Sequence, residues 1–172
     1  MKRKEKITDV YLSLGSNIQP RLKNLNSALY SISNLPGTFL LSTSSVYKTE
    51  SITSMPQPYY FNSAVLVGTM LSPFALLEKC ALIEESHGRP SIRKKNESRT
   101  LDIDIIFFGK TVLNSKKLKL PHPLYSQRRF VLIPLLEISP KLVCPDSKKS
   151  VSETLDCCND TCDVKMVSRQ LK

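Results

Sequence analysis

Apolar and polar residues alternate from Val10 to Leu14, and the run ends at Gly15-Ser16-Asn17, which predicts a strand entering a turn. From Pro20 to Ile32 the period lengthens. Leu22, Leu25, Leu29 and Ile32 fall on one helical stripe, and Leu35-Pro36-Gly37 stops it. The stretch Leu41–Thr49, rich in Ser, Thr and Val, predicts a second strand. Residues 50–59, with Ser54, Pro56 and Pro58, predict a loop. Tyr60–Met70 predicts a third strand with Tyr60, Asn62, Ala64 and Leu66 on one face. Ser72-Pro73 is an N-cap and first-turn pair for a helix from Pro73 to about Ser86, closed by Gly88. A polar segment, residues 89–98, leads to another strand. A hairpin or edge strand around Thr111–Leu120 and a helix around Phe130–Glu137, with Pro134 in its first turns, follow. The order β-α-β-β-α-β predicts an α+β, ferredoxin-like fold with extra edge strands and helices in αβα layers. Residues 1–8 read as a basic N-terminal extension, 9–150 as the domain and 151–172 as a loosely attached C-terminal tail.

The strand after residue 98 carries the chemistry. Within Arg99-Thr100-Leu101-Asp102-Ile103-Asp104-Ile105-Ile106-Phe107-Phe108-Gly109, two carboxylates stand two residues apart in an apolar run. Positions i and i+2 of a strand share a face, so Asp102 and Asp104 project side by side, with Leu101, Ile103, Ile105 and Phe107 on the other face. Paired carboxylates repel and lose hydration unless a cation holds them. Magnesium takes such oxygen ligands, with substrate phosphates completing its shell. Alone, the pattern fits an exposed edge strand equally well. Arg99, Pro121-His122-Pro123 and Arg128-Arg129-Phe130 add weight. The flanking prolines hold His122 in an extended loop, and Arg128 begins a helix, whose N-terminus attracts phosphate. Asn62, on one face with Tyr60, offers donors and acceptors to a heterocycle edge.

Composition narrows this only a little. The 172 residues suit one domain, and contents of 41% hydrophobic and 23% charged residues are ordinary. The net charge of +10 admits nucleic acid, an anionic surface or a small polyanion as partner. No apolar run is long enough for a membrane span and no signal peptide is evident, so a soluble, cytoplasmic protein is expected. Three of the five cysteines lie in Cys157-Cys158-Asn159-Asp160-Thr161-Cys162, read as reduced thiols in preference to a zinc site. Neither a P-loop nor a G-x-G-x-x-G cradle is present.

Four segments, in this order and spacing, resemble the 6-hydroxymethyl-7,8-dihydropterin pyrophosphokinase family of folate biosynthesis. They are Tyr11-Leu12-Ser13-Leu14-Gly15-Ser16-Asn17; Ser45-Val46-Tyr47-Lys48-Thr49 leading to Tyr60-Phe61-Asn62; Arg99-Thr100-Leu101-Asp102-Ile103-Asp104; and Pro121-His122-Pro123 with Arg128-Arg129-Phe130-Val131-Leu132. The resemblance implies a transferase moving pyrophosphate from ATP to a pterin alcohol, with two Mg²⁺ ions on Asp102 and Asp104. It implies catalytic roles for Arg99, Asp102 and Asp104, and ATP contacts from Glu84, Arg89, Arg99, Ile105, His122 and Arg128. Tyr60 and Phe130 would sandwich the pterin, Asn62 and Thr49 would bond it, and Ile52 would line its pocket. The implied partners are ATP and the hydroxymethyl dihydropterin, with no nucleic acid or membrane, and an association with other folate-pathway enzymes, to which some relatives are fused. Residues 50–59 and 89–98 would be lids, the second carrying Arg93, Lys94 and Lys95. The chain departs from many relatives at Asn96, where they place a Trp, and at Glu50, where a Pro is common.

Two other readings use the same features. An RNA-binding module of ferredoxin-like topology would exploit the charge and sheet aromatics, but the RNP1 pattern is missing. A metal-dependent nuclease or nucleotidyl transferase would use the same carboxylates. The product, AMP with a pyrophosphorylated pterin or else cleaved nucleic acid, separates them.

Overall fold

Every second residue of the first strand, β1 (Thr8–Ser16), is fully buried at Val10, Leu12 and Leu14, and this strand lies inside the sheet. The structure, a computed structural model, describes residues 6–50, 58–88, 98–169 and 171. After β1 come α1 (Arg21–Ser33), β2 (Thr38–Thr43), β3 (Val46–Thr49), β4 (Tyr60–Thr69), α2 (Pro73–Ser86) and β5 (Asp102–Phe108). A small hairpin follows, β6 (Leu113–Asn114) with β7 (Lys119–Leu120), then a 3-10 turn at Tyr125–Gln127. Helices α3 (Arg129–Ile138) and α4 (Val151–Asp156) and strand β8 (Val164–Ser168) complete the chain. The main sheet runs β5-β1-β4-β3-β8, with β2 beside the second half of β4, and all its pairings are antiparallel.

Both faces are covered, giving αβα layers around the expected ferredoxin-like core. Leu25, Ala28, Leu29 and Ile32 of α1 and Leu76, Cys80 and Ile83 of α2 pack on the face bearing Leu12, Leu14, Val65, Val67 and Ile103. Val131, Leu132 and Leu135 of α3, with Val151 of α4, cover Ala64, Ile106 and Phe107 on the other. Helix α2 has the expected bounds because Ser72 Oγ accepts the Ala75 N–H at 3.2 Å and Gly88, at φ +84°, ends the turn. The α1 stripe is rotated from the expected one. Leu22 is exposed, and the buried position beside it is Arg21, whose Nε donates to the Tyr59 carbonyl at 2.9 Å.

Three expectations are corrected. The single strand Leu41–Thr49 is two strands broken at Ser44-Ser45. Ser44 Oγ accepts the Ala64 N–H at 2.8 Å, and the Ser45 N–H turns away to the Glu137 carboxylate at 3.0 Å. Glu137 also accepts from the Ser45 hydroxyl and the Tyr47 phenol, both at 2.8 Å. Burial, and then this carboxylate, push the Tyr47 phenol up to about 12. Second, Phe107 shares the α3-side core with Ile106 and does not continue the face of Ile103 and Ile105. Tyr11 pairs with Phe107 and Leu12 with Ile105, so Ile106 is a bulge that shifts the strand's phase by one residue. Third, the tail is not loose. Strand β8 pairs with β3, Leu171 enters the core, and α4 begins with a capping box between Ser150 and Glu153.

Removing the Glu137 carboxylate leaves a buried amide without its partner. Glu137→Ala is therefore expected to lower unfolding free energy by about 2–3 kcal/mol, and Glu137→Gln, which keeps one acceptor oxygen, by less. Urea denaturation of the three proteins measures this; equal stabilities of the alanine variant and the parent would contradict it.

Candidate active site

Strand register lays the candidate residues in a row across the sheet. Asp102 pairs with Gly15, Gly15 with Asn62, and Asn62 with Tyr47, while Thr49 pairs with Tyr60. Asn62 is buried and donates from Nδ2 to Thr49 Oγ1 at 2.7 Å, which leaves its Oδ1 beside Gly15. A Cβ on Gly15 would stand 3.2 Å from Asn62 Oδ1 and 3.9 Å from both Tyr60 and Asp102, so this glycine keeps the middle of the row open. Above the row is a cavity of about 390 Å³. Thr49, Tyr60, Asn62, Arg99, Asp102, Asp104, Arg128 and Phe130 line it, together with Ser13, Gly15, Glu50, Leu124 and Gln127. Tyr59, just before Tyr60, is gripped by Arg21 at 3.9 Å and Lys48 at 4.2 Å from its ring centroid.

Three basic residues converge on the aspartate pair, each delivered by a different device. Asn17, at the end of β1, exchanges backbone contacts with Arg99: its N–H donates to the Arg99 carbonyl at 3.1 Å, and its Oδ1 accepts the Arg99 N–H at 2.6 Å. The Arg99 guanidinium then reaches Asp102 Oδ2 at 2.6 Å. Burial alone would lower the Arg99 pKa, but the Asp102 carboxylate outweighs it and raises it. His122 is brought in by the bulge, since its N–H donates to the carbonyl of Ile106 at 3.0 Å. Leu124 donates its N–H to His122 Nδ1 at 3.2 Å, so the neutral ring carries its proton on Nε2, 3.9 Å from Asp104 Oδ2. Burial, with Arg128 nearby, holds the His122 pKa down to about 4, so this imidazole is a neutral donor near pH 7. Arg128 occupies the N-cap position of α3, with its guanidinium 3.8 Å from Asp104 Oδ2 and 5.6 Å from the Phe130 ring centroid.

The aspartates also line a second cavity, of about 250 Å³, on the side of α2 and the β6–β7 hairpin. Glu84, Ile105 and His122 lie there. Buried Glu84 takes the Ile103 N–H on Oε1 at 2.7 Å, so it secures the edge strand as well as bordering the cavity. Lys116, Lys117 and Lys119 line it too; the sequence shows them as a charge cluster indistinguishable from solvated surface. Cys80 borders it as a protonated thiol, pushed up to about 12 by burial and then by Glu84 and Asp104. Arg89 and Ile52 lie outside the described residues, as do residues 51–57 and 89–97, with Arg93, Lys94, Lys95 and Asn96, of the segments 50–59 and 89–98 expected to be lids.

Among the described residues, no group of three or more His, Cys, Asp or Glu could enclose a metal ion. Two carboxylates on one face are instead the partial set magnesium uses when substrate phosphates supply the remaining oxygens. The donor chemistry fits that ion and not zinc. No described helix is long and apolar enough to cross a membrane.

Known proteins share this arrangement of sequence and fold. A Haemophilus influenzae protein named 2-amino-4-hydroxy-6-hydroxymethyldihydropteridine pyrophosphokinase is 40% identical over 138 residues, 80% of this chain and 86% of that protein. A Synechocystis protein of the same name is 39% identical over 84% of this chain and 73% of its own length. The folic acid synthesis protein fol1 of Pneumocystis carinii is 39% identical over 83% of this chain, which corresponds to 19% of that longer protein. The crystal structure of wild-type Plasmodium falciparum HPPK-DHPS with pterin and p-hydroxybenzoate superimposes with a TM-score of 0.70 at 16% identity. It covers 90% of this chain, which spans less than half, 43%, of the solved one, and it shows likeness of fold. The family pattern of 7,8-dihydro-6-hydroxymethylpterin-pyrophosphokinase (HPPK) matches residues 11–140, and the chain belongs to that family.

Proposed function

We propose that this chain transfers the pyrophosphoryl group of ATP to 6-hydroxymethyl-7,8-dihydropterin in folate biosynthesis, and that the two cavities flanking Asp102 and Asp104 receive the two substrates. One observation carries this reading: the same two carboxylates line both cavities. A divalent ion on them would touch phosphates entering from one side while the acceptor alcohol waits on the other.

On the acceptor side, Tyr60 and Phe130 would stack on the pterin, and Asn62 and Thr49 would hydrogen-bond its edge. The Nδ2–Oγ1 bond between the last two pre-sets their orientation, so little side-chain entropy is lost on binding. Ile52, outside the described residues, would close this pocket. On the ATP side, Glu84 and Ile105 would border the base and His122 Nε2 would donate to phosphate, with Arg89 adding charge from outside the described residues. Lys116, Lys117 and Lys119 would add cations there.

Asp102 and Asp104 would hold two magnesium ions, which when bound supply charge neutralisation and alignment of the phosphates. Arg99 now spends its charge on Asp102; with ATP present it would shift to phosphate oxygens, joined by Arg128. The hydroxymethyl oxygen attacks the β-phosphorus in line. Its bond forms as the bond from that phosphorus to the oxygen bridging to the α-phosphate breaks, AMP leaves, and the hydroxyl proton passes to solvent. Positioning and electrostatics therefore dominate, as phosphoryl transfer requires. A cytoplasmic setting, where ATP and magnesium are abundant, suits this chemistry.

Asp102→Asn and Asp104→Asn are each expected to lower AMP release by roughly 10³-fold or more, while the pterin dissociation constant by calorimetry stays within a few-fold. Chelating magnesium should stop turnover in the parent. Wild-type rates in either variant would sink the assignment. Gly15→Ala should raise KM for the pterin about tenfold and leave KM for ATP unchanged, because its methyl crowds Asn62 on the acceptor side only. An unchanged pterin KM would remove Gly15 and its row from the acceptor pocket.

A further inference from the structure

The N-terminus of α3 presents a problem that the rest of the chain solves. Arg128 stands at the N-cap, a position where Ser, Thr, Asp or Asn would normally accept a helix N–H, and no side chain of the helix's own start does so. An arginine here donates only, and its charge opposes the positive end of the helix dipole. The missing acceptor comes from a distance. Asp160, in the C-terminal segment, takes the Arg129 N–H on Oδ2 at 2.8 Å. That N–H belongs to the peptide joining Arg128 to Arg129, and Phe130 is the next residue; Arg128 and Phe130 are what the start of α3 brings to the acceptor cavity.

The same segment is fastened to the opposite wall. Asp160 Oδ1 accepts the Cys162 N–H at 2.9 Å, and the Cys162 thiol points to the Glu50 carbonyl at 3.7 Å. Two residues later β8 begins, with Val164 paired to Thr49 and Lys165 to Lys48. Thr49 and Glu50 line the cavity across from Arg128 and Phe130. Residues 160–164 thus bridge the two walls, although the family pattern ends at residue 140.

We propose that Asp160 is a positioning residue for this reaction. By capping α3 from the C-terminal strap it holds Arg128 and Phe130 at a fixed distance from Thr49. The proposal rests on the function assigned above. It also accounts for the tail's place in the sheet and for a helix begun by an arginine. The cap is absent where a local one would sit because that position is occupied by a cation aimed at Asp104.

The test compares Asp160→Ala and Asp160→Asn in the full chain. Asparagine keeps one of the two acceptor oxygens, so its pterin KM and its exchange should fall between those of the parent and of the alanine variant. Alanine should raise KM for the pterin about tenfold and speed amide hydrogen exchange in residues 129–132 by a similar factor, read by mass spectrometry. An alanine variant that melts earlier but keeps the parent's pterin KM would reduce Asp160 to a structural residue and overturn the proposal. So would unchanged exchange at the start of α3. Failure of the wild-type protein to release AMP in the presence of the pterin would instead overturn the assigned function, so the two failures are distinct.

Discussion

Two carboxylates fixed on one face of an edge strand repel each other, and the architecture around Asp102 and Asp104 is organised by that repulsion. At the spacing of strand positions i and i+2, about 6–7 Å, the cost is on the order of 2 kcal/mol in a partly solvated setting. Arg99 answers it at Asp102, and Arg128 with the neutral His122 at Asp104. Each comes from a separate part of the fold: the loop clamped by Asn17, the start of α3, and the loop hung on the Ile106 bulge. In the proposed function the pair would receive a divalent ion and the phosphates that come with it, and Arg99 would hold one carboxylate in place until they arrive.

The second helical layer follows from this need. A bare ferredoxin-like sheet would leave the face of Asp102, Gly15 and Asn62 open to water. Helix α3 covers the adjoining part of that face with Val131, Leu132 and Leu135, and its first turn brings Arg128 and Phe130 to the edge of the row. Glu137, two turns further on, ties the helix to Ser45 and Tyr47 at the start of β3. The bulge at Ile106 serves both layers at once: it turns Phe107 toward α3 and offers the carbonyl that seats His122. The irregularity in the strand thus lies beside the candidate site.

The helix Pro73–Ser86 was legible because Ser72-Pro73 and Gly88 are local signals whose physics needs no tertiary partner. The aspartate pair and its cations were legible because charge in an apolar strand is costly and demands an explanation. The bulge was not. Ile105, Ile106, Phe107 and Phe108 are all apolar, so their pattern has no phase from which to tell which face each takes. Strand β8 was hidden for the opposite reason. Its middle residues Lys165, Met166 and Val167 are all exposed, and its attachment to β3 is through backbone bonds that side-chain periodicity does not record. A signal for α4 did exist in the Ser150-x-x-Glu153 capping box. The lysines of the second cavity carry no local mark separating them from solvated charge, and only the position of the β6–β7 hairpin against β5 reveals them.

If one pair of carboxylates serves two substrates in a single transfer, the products carry the signature. Phosphorus-31 NMR of a reaction containing ATP, magnesium and 6-hydroxymethyl-7,8-dihydropterin tests it most directly. AMP and a pterin diphosphate are expected to rise in equal amounts, both strictly dependent on the pterin. Formation of ADP with a pterin monophosphate, or ATP breakdown indifferent to the pterin, would contradict it.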